Sequence, residues 1–332
     1  MSEPPWKRNS NSDRDVLQFE PEGTYADIAE SEAQKMQKRT AMIDERVENS
    51  MKGTQRHEGE VSFLDVTLHP RSLVELTGLV ERGILNRRKW IIAHHNLHSL
   101  YLFHRQPRLR EFYAGVRWIP IDGMPLIGLG RLYGYDLKRE QRVTYVDWMD
   151  SLVELIAARG WRIFYLGSPK EVAEKGAVAL RGRYSGLQIE VSDGYFDARP
   201  GSRENEALLK RINSYAPDLL MVGMGMPRQE FWIQDHFDRL NANVILASGA
   251  AIDYIAGAVP TPPRWAGRLG LEWAFRLVNE PRRLFGRYLK EPWYIVTLVL
   301  FDIVRKRGKL STTVHVKKTT DRGRDLPAAP DE

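Results

Sequence analysis

The sequence predicts an α/β fold, a mostly parallel sheet with helices on both faces. Seven short runs rich in β-branched and aromatic residues alternate with stretches of helical period, the pattern of strand–helix–strand units. The chain is also long enough to wrap such a sheet, with 332 residues of which 42% are hydrophobic and 10% aromatic.

The elements follow in order. Residues 1–58 are polar, with scattered charge and no sustained apolar period; they read as a disordered or weakly helical extension. The first 30 residues have no apolar core, so they are not a secretory signal. Strands are expected at VSFLDV (61–66), KWIIAH (89–94), VRWIPI (116–121), WRIFYL (161–166), LQIEV (187–191), DLLMVG (218–223) and NVILAS (243–248). Helices are expected at 70–85, 97–113, 147–159, 169–184, 203–215 and 227–239. This gives an α/β core over 59–262, a basic, aromatic helical appendage over 263–309 and a disordered tail over 310–332.

The charge is uneven. The whole chain is +6, yet residues 264–310 hold eleven Lys/Arg and four acids, a net +7, so the other 285 residues sum to −1. The same stretch carries Trp265, Trp273, Phe275, Phe285, Tyr288, Trp293, Tyr294 and Phe301. Basic residues interleaved with aromatics suit an anionic membrane surface, single-stranded nucleic acid, or a solvated helical face over a buried aromatic stripe. The longest apolar run, Trp293 to Phe301, is too short for a bilayer, which needs about 20 residues.

In a parallel sheet, ligands bind beyond the C-terminal ends of the strands. Three turns there look suited to anions. LGSPKE offers Gly167 and Ser168, with Ser168 as expected N-cap, Pro169 at the first helical position and Glu171 closing a capping box. VGMGMPRQE offers Gly223 and Gly225, and ASGAAIDY offers Ser248 and Gly249. Small residues also simply make tight turns, but three such turns in one sheet point to a nucleotide or diphosphate.

Several chemistries are disfavoured. There is no cysteine, hence no disulfide, thiol nucleophile or Cys-ligated metal. Arg228 stands where a dinucleotide fingerprint would place its third glycine, and there is no GxxxxGK[ST], GxSxG or HExxH. Asp122, at a strand end before Gly123, is either a general base facing the crevice or a helix cap. HHNLH places His94 and His98 at i, i+4, a spacing that could ligate a metal, or it is a strand end running into a helix cap at Asn96.

Taken in order, IIAHHNLHSLYL, RWIPIDGMPLIGLGRLYG, WRIFYLGSPKEVAEK, PDLLMVGMGMPRQEFWI, VILASGAAIDYIAG and EWAFRLVNEPRRLFGRYL resemble the WecG/TagA/CpsF family, glycosyltransferase family 26, over roughly residues 61–290. The resemblance implies a Rossmann-like core with a C-terminal helical appendage that engages the membrane. It implies inverting transfer of a sugar from a UDP-sugar (N-acetylmannosamine, its uronic acid, or glucose) to a polyprenyl-diphosphate-linked saccharide, in cell-surface or exopolysaccharide synthesis. The expected setting is cytoplasmic, peripherally bound to the inner face of the membrane, with an anionic surface and no nucleic acid as partner.

Carried onto this chain, the resemblance makes Asp122 the base and places Gln229 near the donor pocket. It sets Arg276, Arg283 and Arg287 against the acceptor diphosphate. Taken with the turns, it assigns donor binding to Asn96, Gly123, Arg142, Gly167, Ser168, Gly223, Gly225, Gln229 and Gly249. The only DxD, Asp13-Arg14-Asp15, lies in the extension, so no metal and no cofactor are expected. Two positions depart from the family pattern: His94 replaces its usual Thr, and RVTYVDW (142–148) replaces its RVxGxDL. The alternatives are a nucleotide- or nucleic-acid-binding module, and an inactive scaffold in a polysaccharide synthase complex.

Overall fold

The computed structural model describes residues 59–261 and 272–319, and of these the side chains of Glu272, Arg283 and 306–319 are not described. The expected extension over 1–58, the segment with Arg264, Trp265 and Arg268, and residues 320–332 of the tail lie outside the described residues.

VSFLDV is the start of a hairpin rather than one strand. β1 (Val61–Phe63) pairs antiparallel with β2 (Val66–Leu68) across Leu64 and Asp65, which both take positive φ, 49° and 56°. A two-residue turn of that kind matches strand twist. The main sheet is parallel and five-stranded, with β3 (Trp90–Ala93), β4 (Arg162–Gly167), β5 (Gln188–Ser192), β6 (Leu219–Gly223) and β7 (Val244–Ala247) in the order β3-β7-β6-β4-β5. Beside β3, the expected strand VRWIPI is an extended ribbon with isolated bridges, Ile92 to Trp118 and His95 to Ile121. Pro120 has no N–H to give, so regular pairing stops there while its carbonyl still accepts from His95 N.

The helices are α1 (Leu73–Leu85), α2 (Leu97–Arg105), α3 (Pro107–Ala114), α4 (Met124–Leu132), α5 (Tyr145–Ala158), α6 (Lys170–Arg183), α7 (Arg203–Tyr215), α8 (Arg228–His236) and α9 (Ala251–Ile255). The single helix expected over 97–113 breaks at Gln106 because Pro107 cannot continue it and instead opens α3. Strand residues alternate between two cores. Phe164, Leu166, Leu220, Val222 and Ile245 face α2, α3, α4, α7 and α8. Ile163, Tyr165, Leu219, Met221 and Leu246 face α1, α5, α6 and α9. Both faces are covered, which accounts for the near-continuous apolar strands.

The C-terminal elements are α10 (Glu272–Asn279), α11 (Pro281–Phe285), a π-helical turn (Gly286–Lys290) and α12 (Glu291–Thr319). α12 continues past the expected boundary at 309; RGKLSTTVHVKKT contains no proline to stop it. Its apolar run serves two surfaces. Ile295 and Val299 are buried in the core against which Tyr294 and Leu298 pack. Trp293, Val296, Leu300, Phe301 and Val304 are exposed, Trp293 at 72% and Phe301 at 70%. No described helix is long and apolar enough to cross a membrane.

Candidate functional site

The strand order creates the site. From β4 the chain steps outward to β5 at the edge, then returns to β6 on the other side of β4 and on to β7. The connections after β4 and β6 therefore diverge, opening a crevice at their C-terminal ends. A cleft of about 1170 Å³ runs from there across the whole sheet top. Its lining follows sheet order: Gly194 and Tyr195 beyond β5, Ser168 beyond β4, Gly223 to Met226 beyond β6, Ser248 to Ala251 beyond β7, His94 and Asn96 beyond β3, and Asp122 at the end of the ribbon. Arg276, Leu284, Gly286, Arg287 and Glu291 close it from the C-terminal elements.

At the first turn Ser168 is not the helix cap. It sits at φ 57°, its hydroxyl shares a 2.5 Å hydrogen bond with Tyr165 OH, and α6 is capped by Pro169 with no side-chain bond. Gly167 does not line the cleft; it pairs with Gly223, and a Cβ there would come 2.4 Å from the Gly223 carbonyl oxygen. Close packing of β4 on β6 explains Gly167. Gly225 and Gly249, at φ 81° and 53°, have open space where a Cβ would be, so backbone conformation is what requires glycine.

The amides of Gly225 and Gly249 do not face a ligand. Gly225 N (3.1 Å) and Gly249 N (3.2 Å) both donate to Oε1 of Gln229, and Gln229 Nε2 donates to Glu230 Oε1 at 2.8 Å. Gln229 is 2% exposed, so it ties the second turn to the third from below. Glu230 is fully buried behind it; burial pushes its carboxyl up to about 7.

Asp122 is placed by backbone pairing, its N–H donating to the His95 carbonyl at 2.8 Å. The following helix is capped by Gly123 at φ 99°, with no side-chain cap bond, so Asp122 is not a cap and its carboxylate lines the cleft. Gly123 does not line it. Asn96 has two roles: its Oδ1 caps α2 through Ser99 N, and its Nδ2 donates to Asp122 Oδ2 at 3.2 Å. Within HHNLH the cap reading therefore holds, while His98 Nδ1 lies 2.7 Å from Glu291 Oε2 of α12. Among the described residues no three or more His, Asp or Glu side chains are grouped to hold a metal ion.

The floor beside Asp122 holds unsatisfied polar atoms. Both ring nitrogens of His94, the hydroxyl of Tyr145 and Oγ of Ser248 are buried with no hydrogen-bond partner. Each such group costs about 1–3 kcal/mol if left unmet, so a cluster of them lining a cleft marks where a polar ligand would compensate. Burial holds the His94 imidazole down to about 4.

The cations come from three directions, one of them Arg228 at the head of α8. Arg142 pairs with Asp147 at 2.9 Å on the α5 side. Arg276 donates through Nε to Tyr254 OH at 2.6 Å, and Arg287 is held below the usual arginine range by burial, with Arg276 adding repulsion. Asp122 acts electrostatically on both Arg276 and Arg287. The Arg283 side chain lies outside the described residues.

A family model described as the glycosyl transferase WecG/TagA/CpsF family matches residues 61–309. The chain belongs to that family. Among curated relatives of this family member, the N-acetylglucosaminyldiphosphoundecaprenol N-acetyl-beta-D-mannosaminyltransferase of Staphylococcus aureus strain MW2 is 30% identical over 169 residues, 51% of this chain and 62% of that protein. Proteins of the same name from strains NCTC 8325 / PS 47 and COL match to the same extent. The match thus spans less than two thirds of those relatives' length.

Sequence reasoning missed Tyr195, and it placed Asp253 in the third turn without giving it a role. Tyr195 is 73% exposed at the far end of the cleft, and Asp253 lines it from α9. SDGYFD directly follows a strand, so the rule of reading what comes after each strand would have found Tyr195.

Proposed function

We propose that this chain is an inverting glycosyltransferase that moves a hexose-type sugar from a UDP-sugar to a polyprenyl-diphosphate-linked saccharide at a membrane surface. The observation that carries this is one cleft with three chemically distinct parts. Its nucleotide end is the crevice at Ser168 and Gly223, with the Tyr195 ring available to a base and the Asp253 carboxylate to ribose hydroxyls. Its other end holds Asp122. Above Asp122 stand Arg276 and Arg287, cations suited to a diphosphate. The names of the relatives, which transfer N-acetylmannosamine to a diphosphoundecaprenol-linked N-acetylglucosamine, support the same substrate classes.

In the reaction an acceptor hydroxyl attacks the anomeric carbon from the face opposite UDP. The new C–O bond forms as the bond to the β-phosphate oxygen breaks, with that electron pair leaving on UDP. Asp122 accepts the hydroxyl proton, an effect of about 10²–10⁴-fold. Asn96, donating to Oδ2, keeps the carboxylate aimed. The charge gathering on UDP is to be met by arginines of the cleft wall, Arg142 and Arg228, rather than by water. The exposed apolar face of α12 rests on the membrane, with the neighbouring arginines and lysines toward anionic headgroups.

The decisive test is Asp122→Asn, which preserves shape and the contact with Asn96 but not the basicity. Turnover on a lipid-diphosphate acceptor should fall by about 10²-fold or more, with UDP affinity within a few-fold of the parent. Normal turnover would remove Asp122 from the mechanism. Activity should also persist in excess EDTA; loss with EDTA and recovery with Mn²⁺ would contradict the cation-based account.

A further inference from the structure

The order of the strands is also an order of subsites. Between the nucleotide crevice at β4 and β6 and the base at the ribbon lie only β7 and β3. A donor sugar joined to UDP at one end and attacked beside Asp122 at the other must lie over those two strand ends. Ala93 pairs with Ala247, so the next residues, His94 and Ser248, sit side by side there. The His94 ring is 4.5 Å from that of Tyr145. These three side chains carry the buried, unpartnered atoms of the floor, and all three line the cleft.

The chemistry of this floor is specific. A neutral imidazole offers one N–H donor and one bare nitrogen, and a phenol offers both from one oxygen. His94 is neutral at pH 7 because burial holds it down, and burial pushes the Tyr145 phenol up, so it too carries no charge. The ionised group felt at both rings is Asp122, while Glu230, also felt at Tyr145, is held toward its protonated form by burial. The arginines reach the cleft from the C-terminal elements, the α5 side and, as Arg228, the head of α8.

We infer that His94 and Tyr145, with Ser248, read the donor sugar through its hydroxyl or amide groups, accepting an uncharged hexose or N-acetylhexosamine and rejecting a hexuronate. A uronate carboxylate would be stripped of water beside Asp122 and meet only uncharged donors on this floor, because Arg142 is paired with Asp147 and Arg276 and Arg287 are matched to the acceptor diphosphate. This deepens the glycosyltransferase reading and rests on it.

The test separates binding from transfer. UDP, UDP-glucose, UDP-N-acetylmannosamine and UDP-glucuronate are titrated calorimetrically into the parent, His94→Gln, His94→Ala and Tyr145→Phe. The same donors are then assayed for transfer to a lipid-diphosphate N-acetylglucosamine. The parent should favour at least one uncharged donor over the uronate by about 100-fold. Tyr145→Phe and His94→Ala should each weaken that donor by about 10-fold while UDP stays within about 3-fold, and His94→Gln, which keeps a donor and an acceptor, should retain most of the affinity. Tyr145→Phe removes only a hydroxyl with no protein partner, so a merely structural role predicts unchanged sugar binding and would overturn the assignment. Equal binding of the uronate, or equal loss of UDP and UDP-sugar in the variants, would also overturn it. Selective binding without transfer from any donor would leave the sugar site standing and refute the transferase reading. Efficient transfer from the uronate would do the reverse.

Discussion

Replacing Gln229 with alanine should loosen the donor end of the cleft and the fold together. The side chain makes three hydrogen bonds: from Gly225 N at 3.1 Å, from Gly249 N at 3.2 Å, and to Glu230 Oε1 at 2.8 Å. At about 1 kcal/mol net for each, the bonds alone amount to about 3 kcal/mol. Glu230 is then left in the core with neither oxygen paired, since its Oε2 already lacks a partner, and this raises the total toward about 5 kcal/mol. For a chain of this size about 1 kcal/mol moves the melting midpoint by 2–4 °C, so a fall of about 10 °C or more is expected. Amide exchange at Gly225 and Gly249 should speed up with it, and UDP affinity should drop because two turns of the crevice lose their tie. Differential scanning calorimetry and hydrogen-exchange mass spectrometry measure these effects. A variant that melts with the parent but has lost kcat would show that Gln229 works on the substrate and not on the turns.

Three further outcomes follow from the same geometry. Because the Glu230 carboxyl is raised from 4.5 to about 7, the folded state keeps a proton the unfolded chain has released. Its stabilising contribution is therefore full below pH 4.5 and lost as pH rises to 7, at about 1.4 kcal/mol per pH unit. Glu230→Gln should match the parent in urea denaturation at pH 5 and exceed it by about 3 kcal/mol at pH 8; parallel curves would exclude a proton on Glu230. Trp293→Ala with Phe301→Ala removes two exposed aromatics from α12 and should cut co-sedimentation with anionic vesicles by about 10-fold or more without changing the melting temperature; unchanged partition would move the membrane contact elsewhere. Arg287→Glu should raise KM for the lipid-diphosphate acceptor far more than KM for the donor, and the opposite split would place Arg287 at the UDP end.

The parallel strands were legible because a strand covered on both faces must be apolar at nearly every position, as LLMVG and VILA are. Ambiguity entered where one residue redirected the backbone, as Pro120 does in the ribbon and Pro107 between α2 and α3. Ser168 looked like a cap because Ser, Pro and Glu were correctly spaced; its left-handed backbone turns its hydroxyl back onto Tyr165, three residues earlier, instead of toward the helix. Asp122 was readable as a candidate, but discarding the cap reading required seeing Gly123 at the head of α4. The arginines were visible as charge, whereas the contact of His98 with Glu291 joins residues 193 positions apart and leaves no local trace. The family resemblance supplied what periodicity could not, the association of these blocks with one chemistry.

α12 begins inside the cleft and presents exposed apolar residues almost at once: Glu291 lines the site, while Trp293, two residues later, is 72% exposed. At 1.5 Å of rise per residue that separation is about 3 Å along the helix. With α12 on the membrane as proposed, reaction centre and membrane plane are joined by a rigid strut too short for a lipid to be lifted out of its leaflet. On this reading the variable that sets the rate is the mole fraction of acceptor in the membrane, not its bulk concentration. Diluting the acceptor with inert phospholipid at constant total acceptor should slow turnover in proportion, and adding more vesicles of the same composition should not.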